Sequence, residues 1–215
     1  MELRIEGGAP VWQWFTGNTQ VVSVALSFAM LIVWVIYLQL LLVQFRGTKR
    51  STILITRAAG RGMRSRCLVT NMSSQPLYVS SLIATVHVRG RQIELALTDL
   101  RELPGDLGED PRSIMGQGSL ATGQFMNIGH FDDIVRTLLD ANEETDVQEE
   151  EVDQFDLTVV ALYALEDLPV GATRSFHFER NVPKGPRVQP LSIATDQIRQ
   201  RRRRRDLLNK VQQYL

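Results

Sequence analysis

The sequence predicts one membrane-crossing helix near its N-terminus, then a mainly-β domain built as an antiparallel sandwich, then a basic amphipathic helix at the C-terminus. Three observations predict this. Val21 to Val43 is a run of 23 residues without a charge. Between residues 52 and 182, short runs rich in β-branched and aromatic residues alternate with turn residues. Arg201 to Arg205 form an unbroken basic run, and Leu207, Leu208 and Val211 follow it at helical spacing.

The apolar run comes first in the chain. At ~1.5 Å per residue it would span about 35 Å, enough for the hydrocarbon core of a bilayer with some tilt. It is apolar on all sides, unlike a helix that packs one face on a core. Trp12, Trp14 and Phe15 precede it and read as an interfacial anchor within residues 1–20; Trp34 and Tyr37 lie in its second half. A cleaved signal peptide would need a basic start and a shorter apolar run. Here the start carries Glu2 and Glu6, and Arg46, Lys49 and Arg50 follow the run. The expectation is therefore a retained anchor over residues 21–43 and a basic juxtamembrane linker over 44–51.

Charge sets the expected orientation. From Gln44 to Thr70 there are seven basic residues and no acid, whereas Arg4 is the basic side chain before the run. Basic flanks stay in the cytoplasm. The N-terminus is expected outside, the β domain inside, and the protein in the cell membrane (the inner membrane, if bacterial). Asn71-Met72-Ser73 matches a glycosylation acceptor, but in this topology it reads as a turn. Ser23, Ala25, Ser27 and Ala29 are small residues suited to close helix packing, and Gln39 is a candidate hydrogen-bonding group within a bundle.

Strands are expected at Thr52–Thr56, Met63–Asn71, Leu77–Val88, Gln92–Thr98, Phe155–Leu165 and Thr173–Val182. Arg89-Gly90-Arg91 reads as a tight hairpin turn, and Asp167 to Gly171 as a second one. About six strands with regular turn signals bear a general likeness to immunoglobulin-like sandwiches, and that likeness assigns no functional residue. The glycine-rich stretch from Leu103 to Gly129 reads mostly as loop. His130 to Asn142 reads as a helix, with Phe131, Ile134, Val135, Leu138 and Leu139 on one face and Asp132 and Asp133 favouring its N-terminus. Glu143 to Asp153 carries seven acids in eleven residues and reads as a solvated acidic loop.

Residues 183–215 read as a linker and a helix beginning near Thr195 or Asp196, an apt capping pair. Arg199 and Arg201, Arg202, Arg203, Arg204 and Arg205 make the first half of this helix basic, and Leu208 and Val211 contribute to an apolar stripe in the second. With Arg46, Lys49 and Arg50, these are the candidate residues for binding anionic lipid headgroups or a protein partner. Nucleic acid is not expected, since no stacking aromatics accompany the run and the domain before it is acidic.

No catalytic motif appears. His87, His130 and His177 are more than forty residues apart, and Cys67 is a lone cysteine in an alternating segment. Gly116-Gln117-Gly118 lacks the length and the lysine of a phosphate loop. No catalytic residue, metal ligand, cofactor or small-molecule substrate is assigned, and the chain is expected not to be an enzyme. The expected function is that of an accessory or assembly subunit of a larger integral membrane protein complex, with a stand-alone membrane-tethered sensor as the alternative.

Overall fold

The computed structural model describes residues 18–48, 51–58, 60–100, 110–142, 147–163, 166–183 and 185–213. Trp12, Trp14, Phe15, Lys49 and Arg50 lie outside these residues, as do Glu143 to Asp146 and the side chain of Arg46. The chain divides into two compact units, Met1–Lys49 and Arg50–Leu215.

The first unit is helix α1, Thr19–Thr48. Its segment Thr19–Gln44 is 26 residues long with a mean hydropathy of 2.5, and none of it is buried. By length and composition it is able to cross a membrane. It outruns the expected 21–43, because Thr19, Gln20 and the turn from Gln44 to Thr48 continue the backbone ladder and nothing there breaks it. The helical geometry also corrects the expected small-residue strip. At about 100° per residue, Ser23 and Ser27 fall on one row and Ala25 and Ala29 on another some 160° away. Two narrow rows on nearly opposite faces replace one strip. Ser27 donates its hydroxyl to the Ser23 carbonyl at 2.9 Å, so that group is satisfied within the helix. Trp34 and Tyr37 meet edge to face, their ring centroids 6.3 Å apart.

The second unit is mainly β and antiparallel throughout. One sheet has three strands in the order β1-β2-β6: β1 Ile53–Ala58, β2 Arg66–Asn71 and β6 Phe125–His130. The other has the path β10-β8-β7-β3-β4, with β5 added to β3 and β9 to β8. Its strands are β3 Leu77–Val88, β4 Arg91–Ala96, β5 Gly118–Leu120, β7 Val152–Tyr163, β8 Val170–Glu179, β9 Arg187–Pro190 and β10 Asp196–Ile198. Three shorter or flanking helices complete the unit: α2 Pro111–Met115, α3 Phe131–Ala141 and α4 Arg201–Gln212.

The β3–β4 hairpin closes on two residues, Arg89 at φ 48° and Gly90 at φ 76°. Positive φ at both positions matches the right-handed strand twist, and glycine takes the second without strain. Inward residues of both sheets share one core, including Ile53, Ile55, Cys67, Val69, Leu82, Ala84, Leu157 and Val159. Helix α3 lays its whole apolar face on that core. Phe131 is its centre, 5.5 Å from the Phe155 ring and 4.9 Å from the Phe176 ring, both edge-on.

Several sequence expectations are corrected here. The stretch before Gly129 is not mostly loop among its described residues, since it holds α2, β5 and β6. The described part of the acidic segment is ordered: Glu149–Glu151 form a 3₁₀ turn closed by a reciprocal Gln148–Glu151 cap, and Val152 starts β7. Residues 187–198 are not a linker, because β9 and β10 both pair with β8. The C-terminal helix starts at Arg201 rather than Thr195. Thr195 is diverted into the body, where its hydroxyl accepts from the Ile55 backbone at 3.1 Å.

Candidate interaction surface

Helix α4 is where most of the expected binding residues fall, and its two faces do different things. The inner face docks on the outer side of the seven-stranded sheet. Leu207 is buried with Ile83, Val160 and Ile198, and Val211 packs against them. The close approach needs a glycine: a Cβ at Gly171 would lie 2.6 Å from Leu207 Cδ2 and 3.0 Å from the Val159 carbonyl. Val211, expected to bind a partner or lipid, is thus spent largely on its own sheet. Leu208 is half-buried.

The arginine run is divided in the same way. Arg204 is the structural one, with a side chain only 15% exposed. Its Nε donates to the Pro169 carbonyl at 2.8 Å, its Nη2 donates to the Leu168 carbonyl, and its Nη1 pairs with Glu166 at 2.6 Å. It therefore pins the start of α4 to the β7–β8 turn. Arg203 meets Asp196 of β10 at 2.9 Å, and Lys210 meets Glu94 of β4 at 2.5 Å. Arg199, Arg201, Arg202 and Arg205 are exposed. Arg201, Arg202 and Arg205 make no ion pair among the described residues.

The described residues of the acidic segment, 147–153, form no ion pair with this helix. Glu149 and Glu151 find arginines elsewhere. Arg89 pairs with Glu151, and Arg136 donates to Glu149 at 2.7 Å. Arg180 donates to the carbonyls of Glu149 and Val152, at 3.0 Å for the latter. The Arg89 hydrogen bond holds the Glu151 carboxyl below the usual carboxylate range. Val152 pairs with Val88, at the opposite end of β3 from Leu77, which pairs with Tyr163 just before the turn that Arg204 holds. The described acidic turn, Glu149–Glu151, and the start of α4 thus sit at opposite ends of one ladder.

Two of the three histidines have structural partners. His87 Nε2 lies 2.8 Å from Asp156 Oδ2 across β3 and β7. His130 Nδ1 lies 2.5 Å from the Arg64 carbonyl. Cys67 is wholly buried, and burial pushes its thiol up to about 12. A nucleophile needs the thiolate, so this environment works against reactivity. Among the described residues no group of three or more His, Cys, Asp or Glu side chains is placed to hold a metal ion. Beside the acidic turn an open cleft of about 410 Å³ is lined by Arg136, Asp140, Gln148, Glu149 and Glu150. Comparison of the chain with family models, with curated proteins and with solved structures finds no match.

Proposed function

We propose that this chain is a non-enzymatic accessory or assembly subunit of a larger integral membrane protein complex. Helix α1 anchors it in the cell membrane with the N-terminus outside, and the β domain faces the cytoplasm. The observation that carries this is the uncharged apolar segment Thr19–Gln44 with no buried residue, followed at once by Arg46, Lys49 and Arg50. A helix whose described spanning residues are none of them buried is suited to lipid and to other membrane helices. The domain beyond it offers arginines rather than a catalytic constellation. Arg199, Arg201, Arg202 and Arg205 are placed to meet anionic headgroups or acids of a partner, with Leu208 beside them. No nucleic acid and no small-molecule substrate belong to this reading. The immunoglobulin-like comparison belongs with it too, resting on strand number and antiparallel pairing alone.

Mass spectrometry of what co-purifies with the full chain from native membranes in mild detergent tests the proposal. Integral membrane proteins recovered in fixed ratio support a subunit, and a clean monomer counts against it. Finding Met1 in the mature protein excludes a cleaved signal sequence; a new N-terminus near residue 48 would overturn the anchor. A second reading, a membrane-tethered sensor, is favoured by the cleft beside Arg136 and Glu149. A soluble ligand that protects Arg136 from chemical modification would bring that reading forward.

A further inference from the structure

Seven large apolar side chains are exposed in the described part of the β domain, and five of them gather at one end. Phe125 is 57% exposed, Met72 55%, Met115 54%, Leu162 53% and Tyr78 45%. The pairing places them at the same end of the two sheets, Tyr78 and Leu162 on the outer face of the seven-stranded one and Phe125 on that of the three-stranded one. Tyr78 and Leu162 are direct partners on adjacent strands. Phe125 pairs with Thr70, just before Met72. Met115 ends α2, whose Arg112 donates to the Ser119 carbonyl of β5, the strand paired with Tyr78. Thr52 is tied to the same end, because its carbonyl accepts from Met72 and its amide donates to Ser73 Oγ at 2.8 Å. Arg204 fixes the start of α4 to the β7–β8 turn that follows Tyr163, so exposed Arg201, Arg202 and Arg205 belong to this end as well. Among the described residues the acids here include Asp110, bonded by Arg112, Glu166, bonded by Arg204, Asp196, bonded by Arg203, and exposed Asp167 and Asp206.

Scattered exposed apolar residues need no explanation, but five brought to one end of the domain from separate segments do. The chain itself indicates what covers it. Four residues, 49 to 52, separate the last residue of α1 from the first of β1. Fully extended, they reach about 14 Å. We infer that this end of the domain is a lipid-docking surface. Met72, Tyr78, Met115, Phe125 and Leu162 enter the headgroup region of an anionic bilayer, and Arg201, Arg202 and Arg205 meet its phosphates. Aromatic and thioether side chains suit that boundary, and basic residues beside them add electrostatic attraction. The inference rests on α1 being a membrane anchor and adds a second, reversible contact to it.

The test uses the full chain in lipid nanodiscs, either zwitterionic or containing phosphatidylglycerol. A polarity-sensitive fluorophore is placed through Leu162→Cys, through Phe125→Cys, or through Gln148→Cys at the other end of the ladder. Buried Cys67 is left in place. Nitroxide-bearing lipids report contact by quenching. Labels at 162 and 125 are expected to shift to the blue and be quenched in anionic discs, and the label at 148 to do neither. Combining Arg201→Gln, Arg202→Gln and Arg205→Gln is expected to lower the docking equilibrium about a hundredfold. Fluorescence of Trp34, with Trp12 and Trp14 replaced by Phe, separates the two ideas. Quenching of Trp34 without quenching at 162 or 125 leaves the anchor standing and overturns the docking surface. Absence of Trp34 quenching overturns both. Labels shielded in native membranes but never in pure-lipid discs also overturn the lipid assignment, in favour of a protein.

Discussion

At the Arg89 end of the β3–β7 ladder, acids and arginines meet as pairs; at the Thr52 end, arginines and apolar side chains face water. About 36 Å of strand separates them at ~3.3 Å per residue. Arg89, Arg136 and Arg180 each find Glu149, Glu151 or the backbone beside them. At the other end Arg204 is held by its turn and Arg112 by Asp110, while Arg201, Arg202 and Arg205 project outward. The chain's formal net charge of zero conceals this division. Charge that is paired within the fold steadies a turn, whereas charge left exposed beside apolar groups is available to something else.

The most disruptive way to break the comparison is Phe131→Ala. It removes the ring that joins α3 to Phe155 and Phe176, and so the ground on which Arg136 meets Glu149. A loss of about 3–5 kcal/mol is expected in chemical denaturation. Alkaline pH attacks the core between the two ends. The Cys67 thiol ionises near 9 when unfolded but at about 12 when folded. The unfolded chain therefore releases its proton first, and stability falls as pH rises between those values. The expected slope is about 1.4 kcal/mol per pH unit, read from urea midpoints in a pH series.

Arg204→Gln acts at the Thr52 end alone. It leaves Glu166 and two turn carbonyls without their donor, and about 1–3 kcal/mol should be lost. Hydrogen exchange of the α4 amides would show whether the helix undocks. Replacing Arg201, Arg202 and Arg205 together should change stability by no more than about 0.5 kcal/mol while weakening contact with anionic lipid about a hundredfold. Equal destabilisation by both sets of substitutions would erase the distinction between pinning and projecting arginines. Smallest of all is Glu151→Gln. Its carboxylate is held charged by Arg89, so its contribution is present at neutral pH and lost as pH falls through its depressed pKa. The substitution should flatten that acid limb slightly, and salt should mimic it.

How much of this was legible in the sequence follows the range of the interactions. The β3–β4 hairpin declares itself through a β-branched run and Arg89-Gly90. Helix α3 declares itself through the spacing of Phe131, Ile134, Val135, Leu138 and Leu139. These are local signals. Strands β9 and β10 are four and three residues long, and distant side chains help hold their region in place. Gln197 bonds Ile53, and Arg174 reaches the carbonyls of Ile55, Ser192 and Ile193. Thr195-Asp196 has the composition of a helix cap, but β1 claims the threonine first. The arginine run was obvious as a run. Its division was not, because Glu166 lies far back in the chain and the Gly171–Leu207 contact exists only after folding. The apolar rim was invisible for the same reason, as Met72, Tyr78, Phe125 and Leu162 look ordinary within their own segments.

The edge of β1 carries a last consequence. Sheet pairing covers β1 on one side, where β2 lies. On the other, Gln197 both accepts from the Ile53 amide and donates to its carbonyl, Thr195 accepts from the Ile55 amide, and Arg57 reaches Val188. Side chains close what would otherwise be an open row of backbone groups. Such rows recruit other chains and seed fibrils. Residues 188–197 therefore act as a selvedge that keeps the woven sheet from fraying into its neighbours. A chain truncated before Thr195 would lose that border, and its β1 would become a template for self-association.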